Sequence, residues 1–262
     1  MKVSVCIEML FQEFPFLERI RKAAEVGYDA IEFWNWDNKD LVAIKKVAEQ
    51  VGIEILIFQA NKSGSLVNPE HREVFIKGVQ ESLVKAKEIG VKQLFLLTDE
   101  LGPDRSVLFQ FPNLSAELKY HSVLDGLKVL VKMAEEAGVT LNLEVLNSKL
   151  DHQGYWLDHI DLGFEIIQKV AHPNLRILFD CYHVQIMDGN LIPRMTENID
   201  LIGHIHIADT PGRHEPGTGE INFANIYKAL RHVGYTRYVG MEFEPTGDST
   251  IIARNALLML KN

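Results

Sequence analysis

Four short stretches each carry, at or near the end of an apolar run, a residue able to hold a hard cation. They are Glu144 in LNLEVLN, Asp180 in LRILFDCYH, His206 in GHIHIAD and Glu242 in VGMEFEP. Three are carboxylates and one is an imidazole, spaced by 36, 26 and 36 residues. Carboxylates crowded together raise one another's pKa, and a divalent cation removes that repulsion. Oxygen ligands with one imidazole suit Mn²⁺ or Mg²⁺, and Co²⁺ and Zn²⁺ are also compatible. Taken singly, each residue has a plainer role. A strand-end Glu can pair with a basic neighbour, Asp180 can cap the helix that follows, and His206 can fill the core. Four such residues at equivalent places point to a metal centre.

The elements that must position them follow one recurring pattern: a short β-branched run, a loop, then an amphipathic helical segment. Strands are expected over 3–7, 30–34, 53–58, 92–97, 139–146, 175–180, 201–209 and 237–244. Helical segments follow over 16–27, 40–52, 70–90, 118–138 and 157–170, then in a shorter region up to 198, then over 221–234 and 249–260. Gly27, Gly52, Gly90, Gly138 and Gly234 close helices just before the next strand, as glycine in the left-handed conformation does. The strand runs are apolar throughout, which suits a parallel sheet covered by helices. Eight units of about 33 residues predict a single (β/α)8 TIM barrel spanning 1–262 as one domain. A doubly wound open sheet would place a glycine-rich turn after its first strand. Here that turn is EMLFQEFPF, without glycine. In a barrel the active site forms at the C-terminal strand ends, so the four residues fall side by side around half the rim.

Other residues gather near the same rim. His183, in DCYH, lies just past strand six, where it can bind a substrate oxygen or face solvent as a helix-start histidine. Arg213 lies on the loop after strand seven, where it can clamp a carboxylate bidentately or stand as a free surface charge. His204 precedes His206 by two residues and so shares its inward face one layer deeper, in a supporting or core role. Asn147 and the loop 148–156 are expected to line the mouth, with Tyr155 or Trp156 as a wall. The GTGE segment (217–220) lacks the spacing of a phosphate-binding loop. Its glycines are read as turn residues shaping a lid.

Composition bounds the partners. The chain has 262 residues, 47% hydrophobic and 24% charged, with a net charge of −9 and no basic run, which argues against a nucleic-acid partner. No apolar stretch reaches 18 residues, so no membrane span is expected. Cys6 and Cys181 do not make a disulfide framework. Glu8 and Glu13 interrupt the N-terminal apolar stretch, which also lacks a cleavage site, so no signal peptide is expected. A cytoplasmic location follows. A homo-oligomer is compatible with the chain, but no segment declares an interface.

The segments HIHIADTPGRHEPGTGEIN, LFDCYHVQIMDG, NSKLDHQGYWL, LEVLN and QEFPFLERIRKAAEVGYDAIEFW together resemble the hydroxypyruvate isomerases. These belong to the xylose-isomerase-like barrel superfamily, with ketose 3-epimerases as relatives. The likeness covers essentially the whole chain. It implies one divalent metal on Glu144, Asp180, His206 and Glu242, and substrate binding by His183 and Arg213. One departure stands out: many hydroxypyruvate isomerases carry glutamine at the position of His206, where ketose epimerases use histidine.

The expected chemistry is isomerisation of hydroxypyruvate to 2-hydroxy-3-oxopropanoate (tartronate semialdehyde) through an enediolate. Glu144 and Glu242 would serve as the catalytic proton-transfer pair. The alternative is a ketose 3-epimerase, or another sugar or sugar-acid isomerase, using the same metal and glutamates. A glycosidase would need the two carboxylates but not Asp180 and His206. A repair endonuclease of the same superfamily would need more ligands and a basic groove. A silent binding module would lack the glutamate pair.

Overall fold

The computed structural model describes residues 1–261; Asn262, the last residue of the expected domain, lies outside the described residues. Eight parallel strands close into a barrel in sequence order: β1 (Lys2–Cys6), β2 (Ala30–Phe33), β3 (Glu54–Gln59), β4 (Gln93–Leu96), β5 (Thr140–Glu144), β6 (Leu175–Asp180), β7 (Ile202–Ile207) and β8 (Tyr238–Met241). β8 pairs with β1, so no strand edge is left open. Nine helices among the described residues wrap the barrel: α1 (Phe16–Val26), α2 (Leu41–Val51), α3 (Arg72–Ile89), α4 (Ala116–Ala137), α5 (Ile160–Val170), α6 (Cys181–Met187), α7 (Leu191–Glu197), α8 (Phe223–His232) and α9 (Ser249–Lys261). None is long and apolar enough to cross a membrane.

The helices form where a buried stripe recurs at helical spacing. α2 buries Leu41, Ile44, Val47 and Ala48 against the sheet. Asp40 starts this helix by accepting a hydrogen bond from the Ala43 amide at 3.0 Å. Ser115 caps α4 in the same way, through the Leu118 amide at 3.2 Å. Gly27, Gly52, Gly90 and Gly138 each end a helix in the left-handed conformation. Gly234 is also left-handed but stands one residue beyond the cap of α8, which is Val233.

Two expectations are corrected in detail. The helical region up to Asn198 is two helices, because Gly189 and Asn190 both turn left-handed and break the ladder between α6 and α7. Strands five, seven and eight stop short of the expected ends, so Glu242 lies one residue past β8. Its amide still donates to the Ile207 carbonyl at 3.2 Å, which ties it to the rim.

The register of β7 is set by a bulge. Ile177 pairs with Ile202, but Leu178 pairs with His204, leaving Gly203 as the extra residue. A Cβ at Gly203 would run into Asn142 Oδ1 and stand 2.9 Å from Arg176 Cβ. Gly203→Ala is therefore expected to destabilise the barrel by about 1–3 kcal/mol, the usual range for overpacking. A urea midpoint unchanged from wild type would show that the bulge tolerates a side chain.

Candidate active site

β5, β6, β7 and β8 bring their rim residues to one point. One ligand atom each from Glu144, Asp180, His206 and Glu242 lies within 4.8 Å of the others, and all four side chains are buried. His206 Nδ1 is 3.1 Å from Glu242 Oε2 and 3.8 Å from Glu144 Oε1. This nitrogen is buried without a hydrogen-bond partner. Three carboxylates around one unpartnered imidazole nitrogen are the donor set of a divalent cation, and the residues fit such an ion.

Asp180 divides its two oxygens. Oδ1 accepts from the Tyr182 amide at 2.8 Å and the His183 amide at 3.4 Å, capping α6. Oδ2 turns to the cluster, 3.4 Å from Arg213 Nη2 and 3.5 Å from His183 Nε2. The capping role and the place in the cluster therefore coexist.

The structure brings His183 and Arg213 to the same centre. His183 lies in the first turn of α6 and is fully buried rather than solvent-facing. Its Nδ1 accepts from the Asn147 amide at 3.2 Å and lies 2.7 Å from Asn147 Nδ2. The Asn147 side chain is itself oriented, because its Oδ1 accepts from the Leu150 and Asp151 amides at 2.9 and 3.1 Å. This network places the His183 proton on Nε2, as a neutral donor aimed into the cavity. Burial, with the Arg213 charge adding to it, holds His183 well below the usual histidine pKa.

Arg213 is neither loosely exposed nor free. It adopts a left-handed backbone conformation, is buried, and donates from Nη2 to Glu242 Oε2 at 2.6 Å. The surroundings push the two glutamates in opposite directions. Burial, with repulsion from Glu242 and Asp180, pushes Glu144 up to about 7 despite the nearby His206. Burial acts on Glu242 in the same direction, but His206 and Arg213 outweigh it and hold this residue at about 2.

The cluster opens into a cavity of about 580 Å³. Its inner wall includes Glu144, Glu242, His183 and Arg213, with Trp34 and His152 beside them. Trp34 Nε1 donates to Glu242 Oε1 at 2.8 Å. Farther out the wall comes from loops after β2, β3 and β4, through Asp37, Lys62, Glu100 and Arg105.

Some expected wall residues lie elsewhere. Among the described residues, neither Tyr155 nor Trp156 lines the cavity. Tyr155 is instead a buried clip: its hydroxyl donates to the Glu144 carbonyl at 3.0 Å and accepts from the Thr98 amide at 2.9 Å. The GTGE segment does not cover the mouth. It folds back on Asp209, which accepts from the Gly217 and Ile221 amides at 2.9 and 3.0 Å.

Sequence reasoning passed over Glu32, whose carboxylate lies 2.8 Å from Nε2 of both His204 and His206. The signal was present, since a glutamate inside a strand as short and apolar as AIEF is costly unless paired. Trp34 carried no such mark, whereas His152 lies in the 148–156 loop expected to line the mouth.

A closed parallel barrel with a buried carboxylate–imidazole cluster at its C-terminal rim has the layout of a barrel enzyme that works on a small molecule. The chain belongs to the xylose isomerase-like TIM barrel family, whose profile matches residues 20–262. It is 30% identical to the hydroxypyruvate isomerase of Escherichia coli K12 over 94% of both chains. It is 28% identical to the 2-oxo-tetronate isomerase of Cupriavidus necator over 91% of both. These relatives mark the chain as an isomerase. Among solved structures it resembles an AP endonuclease, family 2, from Brucella melitensis, with a TM-score of 0.85 and 26% identity over 96% of both chains.

Two predictions follow from this geometry. EDTA-treated protein should gain thermal stability when Mn²⁺ is added, by about 2.7 kcal/mol at a hundredfold excess over Kd. Asp180→Asn, which keeps an N-cap residue but loses the charge, should abolish most of that gain in a melting experiment. The second concerns His152, which burial holds down at about 4, with the Arg213 charge acting the same way. A histidine whose folded pKa is depressed stabilises the fold above its unfolded pKa of about 6.5, and that contribution fades as pH falls toward 4. Urea midpoints should therefore drop across pH 6.5 to 4, and His152→Gln should flatten the drop. An equal slope in both proteins would remove His152 from the account.

Proposed function

We propose that this isomerase, working as a single domain, interconverts hydroxypyruvate and 2-hydroxy-3-oxopropanoate by moving a proton between adjacent carbons. The observation that carries the reading is the pair Glu144 and Glu242, held in one buried cluster with opposite displacements of their pKa values. Titratable groups pushed apart in this way suit separate acid and base roles. Glu242, as carboxylate, takes the proton from C3 of the substrate, the C3 hydroxyl proton passes to O2, and Glu144 delivers a proton to C2 of the enediolate. Proton exchange with solvent then restores the two glutamates. Glu144, Asp180, His206 and Glu242 would hold a divalent ion, most suitably Mn²⁺ or Mg²⁺, which supplies Lewis-acid polarisation of the carbonyl and its neighbouring hydroxyl. His183 offers its Nε2–H to a substrate oxygen, and Arg213 offers a buried guanidinium for the substrate carboxylate.

A second reading is favoured by the size of the cavity, about 580 Å³, which exceeds what a three-carbon acid fills. A longer sugar acid or a ketose would then isomerise or epimerise on the same glutamate pair. The outer wall alternates in sign, Asp37 and Glu100 against Lys62 and Arg105, and suits a polar small molecule better than a phosphate backbone.

The deciding assay uses EDTA-treated protein reloaded with individual metals and offered hydroxypyruvate, 2-oxo-tetronate and several ketoses. Glu242→Gln should lower kcat by about 10²–10⁴-fold on the true substrate, the usual contribution of a general base. Near-normal turnover in that variant would refute the assigned roles. If only ketoses are converted, the second reading replaces the first.

A further inference from the structure

The barrel interior contains a second polar assembly below the rim. Glu32 on β2 faces His204 and His206 on β7, with β1 and β8 lying between these strands in the barrel order. Two small residues make the reach across that gap feasible. Gly240 on β8 pairs with both Ser4 of β1 and His206 of β7. A Cβ at Gly240 would run into Glu32 Oε1 and stand 2.8 Å from His204 Nε2 and 2.9 Å from His206 Cδ2. Ser4 fills the remaining space with a hydroxyl that donates to Glu32 Oε1.

Both carboxylate oxygens of Glu32 are engaged. Oε1 is 2.8 Å from His204 Nε2, and Oε2 is 2.8 Å from His206 Nε2. All four side chains of this group are buried. An ionised carboxylate can only accept, so each imidazole carries its proton on Nε2. That commits Nε2 to Glu32 and makes Nδ1 the atom that faces the cluster, 3.1 Å from Glu242 Oε2.

We propose that Glu32 is a positioning residue that locks His206 in the Nε2–H tautomer and aims its Nδ1 lone pair at the divalent ion. Ser4 and Gly240 make the room that lets it do so. The proposal rests on reading the rim cluster as a metal centre. Glu32, His204 and His206 are not themselves a second ion site in this account, because hydrogen bonds already occupy both carboxylate oxygens and both Nε2 atoms. Partners of this kind orient metal-bound histidines, and losing them typically weakens metal affinity about 10–100-fold.

Glu32→Gln tests the lock directly. A glutamine whose carbonyl oxygen accepts from Ser4 and His204 turns its NH₂ toward His206 Nε2. That contact requires the His206 proton to move to Nδ1, the ligating atom. Zn²⁺ serves as the diamagnetic probe, titrated into full-length EDTA-treated protein. Wild type should bind one equivalent, and Glu32→Gln should bind it about 10–100-fold more weakly with an unchanged near-ultraviolet circular dichroism spectrum. In Zn²⁺-loaded wild type, long-range ¹⁵N–¹H correlations should show His206 protonated at Nε2 and metal-bound at Nδ1. This measurement does not depend on any variant folding.

The reverse assignment of the His206 nitrogens would overturn the proposal. So would equal Zn²⁺ affinity in Glu32→Gln, and either result would leave the metal centre standing. Wild type binding no Zn²⁺ would remove both readings. A second equivalent lost in His204→Ala would show that the lower group is itself an ion site.

Discussion

Negative charge confined in a small volume is the constraint around which this molecule is arranged. Glu144, Asp180 and Glu242 stand within a few ångströms of one another, buried at the inner end of the cavity. Such a group persists only if positive charge or directed donors meet it. The chain supplies several. Arg213 turns left-handed to reach in from the loop after β7, Trp34 donates from just past β2, and two α6 amides cap Asp180. A divalent cation held by the cluster would complete the neutralisation. The site is thus polarised before any substrate arrives, which is the condition for electrostatic catalysis without reorganisation.

The same confinement sorts the histidines. His183 and His206 are both buried beside the cluster, yet their protons lie on the ring in different senses relative to it. Asn147 occupies Nδ1 of His183 and leaves Nε2–H facing the cavity. Glu32 occupies Nε2 of His206 and turns Nδ1 to the cluster. One imidazole presents Nε2 to the centre and the other Nδ1, and neighbours rather than the rings decide which. Neither neighbour lines the cavity itself.

Much of this architecture was legible in the residue order. Apolar strand runs alternating with amphipathic helices and glycine stops fix a barrel, and a barrel places the ends of β5 to β8 together. Glu144, Asp180, His206 and Glu242 could be picked out because strand ends carry an address in this fold. His183 and Arg213 could be placed near the rim, but not their burial or partners. What stayed hidden was contact across the barrel. Glu32 meets residues 172 and 174 positions away, and Trp34 meets one 208 positions away. No local periodicity records such meetings; they depend on which side chains are small between the strands. The break between α6 and α7 was missed for a different reason, since the left-handed Asn190 reinforces a glycine stop that the pattern alone did not enforce.

The division of the rim has an evolutionary consequence. The four residues of the cation cluster come from β5 to β8, whereas the outer cavity wall is built from loops after β2 to β4. The loops on that wall can change length and sequence while the opposite half of the barrel stays as it is. A lineage could therefore remodel Asp37, Lys62, Glu100 or Arg105 without replacing any residue of the cluster. Glu32 and Trp34 reach from β2 and its end across to the cluster, so β2 is a strand along which drift in one half would be felt in the other.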